Sequence, residues 1–77
     1  MTNWRALGWR LVERGPKYYE YETPMGSRII IEHQQGYGEW AYRLRFPAQP
    51  SQDYSEDGYL RKGDALEDAI QYVISTE

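Results

Sequence analysis

Residues 39–46 constrain the fold of this chain more than any other stretch. Trp40, Tyr42, Leu44 and Phe46 alternate with Glu39, Ala41, Arg43 and Arg45. A period of two puts the large side chains on one face of a strand and the polar set on the other. Such a strand belongs in an antiparallel sheet with one face covered and the other wet. Three more runs fit the same sheet. Residues 27–33 carry the β-branched run Ile29, Ile30 and Ile31, suited to a pleated surface. Residues 17–22 set Tyr19 and Tyr21 against Tyr18, Glu20 and Glu22, and residues 9–14 set Trp9 and Leu11 against Arg10, Val12 and Arg14. Between the runs lie Gly15-Pro16, Thr23-Pro24-Met25-Gly26, and residues 34–38 with glycines at 36 and 38. These are turn residues, and connections this short imply hairpins between consecutive strands.

A helix closes the chain. Leu66, Ala69, Ile70 and Val73 follow the i, i+3, i+4, i+7 spacing of one helical face, with Asp64 placed as a cap and Glu67 three residues on, as in a capping box. Its apolar stripe is suited to cover the aromatic side of the sheet. Residues 47–63, with Pro47, Pro50, Gly58 and Gly63, read as a long loop. Residues 2–8 have the makings of a helical turn capped by Thr2 or Asn3 and stopped at Gly8. The expectation is a single α+β domain over residues 1–77. It is a three- or four-stranded antiparallel β-meander, with the C-terminal helix on one face and room for a short N-terminal helix.

At 77 residues, folding buries only ~60% of the extended chain's surface, enough for one small core. Eight Tyr, three Trp and one Phe must fill much of it, and the rings left at the surface favour binding contacts. The chain has no cysteine, so disulfides, thiolate zinc sites and thiol catalysis are all excluded. His33 is the only histidine, Glu20 and Glu22 are the spacing of any solvent-facing strand, and Gly36-Tyr37-Gly38 lacks the helix of a phosphate loop. A non-enzymatic protein without a cofactor is expected. No apolar run approaches a membrane span, so a cytoplasmic protein with no membrane partner is expected.

Residues 53–64 carry the one motif with a chemical reading. Asp53, Ser55 and Asp57 fall at positions one, three and five of a twelve-residue calcium loop, Gly58 at its turn, Tyr59 at its carbonyl position and Asp64 at its end. This stretch resembles the EF-hand loop, and its dockerin variant more closely, which implies a calcium site. It departs from both at Arg61, in the water-holding position, and at Lys62, and a dockerin has two such loops. The same residues read more simply as an acidic turn at 55–58 followed by a helix capped by Asp64. We carry that reading forward, with no metal required for folding.

Charge is unevenly divided. Residues 1–46 hold seven Lys/Arg and five Asp/Glu, whereas residues 47–77 hold two and seven. The loop and helix therefore form an acidic, tyrosine-bearing surface, and complementary potentials suit it to a basic protein partner. Its contact residues are expected to be Asp53, Tyr54, Glu56, Asp57, Tyr59, Glu67 and Asp68. In format the chain resembles the small acidic inhibitors made by phages, anti-CRISPR proteins and DNA mimics among them, which implies an inhibitor or adaptor. The element order also resembles the double-stranded RNA-binding fold, but Asp64, Glu67 and Asp68 stand where that family places lysines. A nucleic-acid module would instead use the open sheet face, with Tyr18 stacking on bases and Arg28, Arg43 and Arg45 meeting phosphates.

Overall fold

The computed structural model describes residues 2–34, 38–47, 53–54 and 58–76, with the side chains of 53 and 54 left out of the description. Four strands form an antiparallel meander: β1 (Arg10–Gly15), β2 (Tyr18–Glu22), β3 (Arg28–Gln34) and β4 (Glu39–Arg45). A two-residue strand, β5 (Asp53–Tyr54), extends it by pairing with Arg43 and Leu44 of β4. One helix, α1 (Lys62–Thr76), packs on β3 and β4. The arrangement is α+β with an open sheet, as expected from the alternation and the helical stripe. No helix among the described residues is long and apolar enough to cross a membrane.

Register decides the two faces. Ile29 opposes Leu44 and Tyr21, Ile31 opposes Tyr42 and Tyr19, and His33 opposes Trp40. These side chains share the helix-covered face, where Ile29, Ile31, Tyr21 and Leu44 are buried beneath Leu66, Ala69, Ile70 and Val73. Trp40 and Tyr42 pack against the same core but are only half-buried. Burying apolar groups of this size contributes about 1.5–3 kcal/mol each. Trp9 completes the core, and Trp4 meets the edge of the Tyr21 ring at 4.9 Å.

The β2–β3 hairpin turns through Thr23–Ser27. The Thr23 amide donates to the Ser27 carbonyl at 3.0 Å and the Ser27 amide to Thr23 Oγ1 at 3.1 Å. Gly26 has φ +90°, a conformation that a side chain would strain.

Four details depart from expectation. Residues 3–8 make the expected turn, capped by Asn3 and ended at Gly8 (φ +82°), but it does not extend into a helix: Ala6, Leu7 and Gly8 donate to carbonyls three residues back, with Asn3 Oδ1 accepting from the Arg5 amide at 3.1 Å. The pairing of β1 with β2 shifts between Leu11 and Glu13. That bulge carries Arg14 from the polar face to the aromatic one, opposite Tyr19. The helix begins at Lys62, two residues before the expected cap. Finally, the stretch taken as loop holds β5 and a backbone bridge between Trp40 and Tyr59, with N···O distances of 2.7 and 2.8 Å.

Candidate functional site: the acidic helix and the open sheet face

The seven residues expected to form the acidic contact surface have different surroundings. Asp53 and Tyr54 lie in β5, while Glu56 and Asp57 fall outside the described residues. Tyr59 is half-buried. Its backbone is held by Trp40, its ring lies 6.2 Å from that of Tyr42, and its hydroxyl donates to Asp68 Oδ2 at 2.8 Å. It is a strut between sheet and helix. Asp68 is exposed, one turn along from Asp64, which is also exposed. Glu67 instead turns to the N-terminal segment, accepting from the Thr2 amide at 3.1 and 3.2 Å and from its hydroxyl at 2.8 Å. No capping box forms with it.

Tyr72 and Ile74 were not singled out from the sequence. They are 41% and 51% exposed on the second half of α1, and the Tyr72 ring lies 6.3 Å from Phe46. The signal was present in the helical period: Tyr72 falls four residues after Asp68, on the same outer face.

The open face of the sheet is a lattice of paired charges. Glu22 binds Arg10 and also Arg28, the latter at 3.0 Å, while Arg28 reaches Glu20 with its other terminal nitrogen. Tyr18 donates to Glu20 Oε1 at 2.6 Å. Arg43 Nε stands 3.0 Å from Glu32 Oε1, an ion-pair distance off the hydrogen-bond direction. These pairs follow from the register, since Glu22 opposes both Arg10 and Arg28, and Ile30 opposes both Glu20 and Arg43.

The electrostatic consequences are local. Burial, then the hydrogen bond to Glu20 and the nearby carboxylate charges, pushes the Tyr18 hydroxyl up to about 12. The Tyr18 hydrogen bond, followed by Arg28, holds the Glu20 carboxyl below its usual range. Arg10 and Arg28 do the same for Glu22. Arg45 is exposed and takes part in none of these pairs.

The calcium reading falls largely on residues outside the description. Of its described members, the Tyr59 carbonyl accepts from the Trp40 amide, and Asp64 lies in the first turn of α1. No group of three or more potential metal ligands gathers among the described residues. No family model matches the chain, and comparison with curated proteins and with solved structures gave no significant match.

Proposed function

We propose that the protein is a small non-enzymatic inhibitor or adaptor that docks the acidic outer face of α1 and its preceding loop on a basic protein surface. The observation that carries this reading is a difference in charge compensation. Arg10, Arg28 and Arg43 are paired with carboxylates of their own sheet. Asp64 and Asp68 are exposed, and no ion pair joins either to a cation among the described residues. The uncompensated charge on the outer face of α1 is therefore acidic, and an uncompensated field steers encounter and sets orientation. Exposed Tyr72 and Ile74 supply apolar area beside it, the usual complement of a steering charge in an interface core.

The rival surface is the open sheet face, acting on nucleic acid through Tyr18, Arg28, Arg43 and Arg45. Two of its three arginines are already bound to glutamates, and phosphate would have to displace those partners.

Capture from a host lysate with the immobilised protein, eluted by rising salt, tests the choice. The Asp64→Lys/Asp68→Lys variant is expected to lose the captured protein. Arg45→Glu, on the other face, is expected to retain it. Loss with Arg45→Glu alone, or a nucleic acid in the eluate, assigns the function to the sheet face instead.

A further inference from the structure

The bulge in β1 has an electrostatic result. Glu20 and Glu22 of β2, Glu32 of β3 and Glu39 of β4 all lie on the open face by register, as does Glu13 opposite Glu20. Across β1–β4 the aromatic face therefore carries no carboxylate. The register shift places Arg14 on that face, opposite Tyr19. Lys62, the first residue of α1, meets the same ring from above, its Nζ 3.8 Å from the Tyr19 centroid.

Two cations thus neighbour one tyrosine, with no anion paired to either among the described residues. Among the described residues, neither Arg14 nor Lys62 forms an ion pair, whereas Arg10, Arg28 and Arg43 of the same sheet all do. The helix carboxylates turn elsewhere: Glu67 to Thr2, Asp68 to Tyr59, and Asp64 to solvent. Burial, and then repulsion by Arg14, makes the Lys62 ammonium easier to deprotonate than a free lysine. Trp40 lies 6.3 Å from the Tyr19 ring and 5.3 Å from His33, whose buried Nδ1 has no hydrogen-bond partner.

We propose that Arg14 and Lys62, on the Tyr19–Trp40–His33 shelf, form a binding site for a phosphate group. A guanidinium fork beside a point ammonium matches a tetrahedral dianion, giving charge-assisted hydrogen bonds from two directions. The anion would also relieve the repulsion between the two cations. Lys62 already occupies the face of Tyr19, so the ligand is held by its charge and not by stacking there. The site shares no residue with the acidic surface proposed for docking and stands or falls separately.

Nuclear magnetic resonance titration of the full chain tests it, with inorganic phosphate added at constant ionic strength. The Tyr19 and Lys62 amides and the Trp40 indole N–H should shift saturably, with half-saturation on the order of 1 mM. Arg14→Gln and Lys62→Met should each weaken the response roughly tenfold, the scale of one lost charge-assisted contact. Lys62→Arg should keep it, which separates loss of charge from loss of fold. Phenyl phosphate run in parallel distinguishes sources: tighter binding marks a phosphate ester, equal binding the free anion. Linear shifts, an equal response to acetate, or full retention in both charge-removing variants overturns the proposal.

Discussion

Glu67 fastens Thr2 across 65 positions of sequence, through both the backbone amide and the hydroxyl. Gln71, one turn on, adds a bond from its side-chain amide to Thr2 Oγ1 at 3.2 Å. The N-terminal segment is thereby drawn to the helix, with Trp4 set against Tyr21.

Removing that fastening should free the N-terminal turn while leaving the sheet intact. Glu67→Ala is expected to cost about 1–3 kcal/mol, the range for a charge-assisted hydrogen bond lost with its partner left behind. Amide exchange at residues 4–9 should quicken more than exchange in β3. Uniform quickening would mean that Glu67 supports the whole fold and not its N-terminal part.

Core truncation should be more costly. Leu44 and Ile70 are buried to within 1% of full enclosure, and changing either to alanine should lose about 2–5 kcal/mol, measurable by urea denaturation. Against a total of about 5–15 kcal/mol, either change takes a large share. Met25→Ala, at an exposed turn, is the matched control and should leave the midpoint nearly unmoved.

Gly58 should resist substitution for reasons of space. A Cβ there would overlap the Glu39 carboxylate and come within 2.9 Å of the Glu39 Cβ. Gly58→Ala is expected to destabilise by about 1–3 kcal/mol, as overpacking does. Adding Glu39→Ala should recover part of that, since the carboxylate is the larger obstacle. A thermal melt of both variants decides the matter, and no recovery would place the strain elsewhere.

The Tyr18–Glu20 pair predicts opposite effects at the two ends of the pH scale. Glu20 is held below its ordinary 4.5 in the fold, so its contribution is complete above that value and is lost as pH falls through the depressed one. Tyr18 is raised from 10.0 to about 12, so its contribution holds below 10 and disappears as pH rises through 12. In an ultraviolet titration, Tyr18→Phe should remove amplitude only from the most alkaline part of the phenolate curve. Lost amplitude centred near 10.0 would show that the hydroxyl is not held by Glu20.

Much of the architecture was legible because it is local. The alternation from Trp40 to Phe46 marks its own strand, and Leu66, Ile70 and Val73 declare the buried face of the helix without reference to anything distant. The bulge at Val12 left no such mark. One unpaired residue in β1 reverses every side chain after it, and the run Arg10 to Arg14 reads as smooth alternation until its partner strand is known. Glu67 failed as a capping residue for a related reason: spacing describes which local bond is available, while the carboxylate found a partner 65 residues away. β5, at two residues, is too short for any periodicity. Of the proposed contact surface, the acidic character of the helix was readable from charge alone. The pairing of Arg10, Arg28 and Arg43 with sheet glutamates depends on register, which the sequence does not print.

The strand order β1-β2-β3-β4-β5 is also the order of the chain. Each strand joins its immediate predecessor, so loop closure adds little entropy at each step and the meander can zip from one end. The helix follows the strands in the chain and packs across both β3 and β4. During synthesis, a nearly complete sheet would thus present Ile29, Ile31 and Leu44 to water until residues 62–76 emerge. The surface left bare in that interval is the one most prone to self-association.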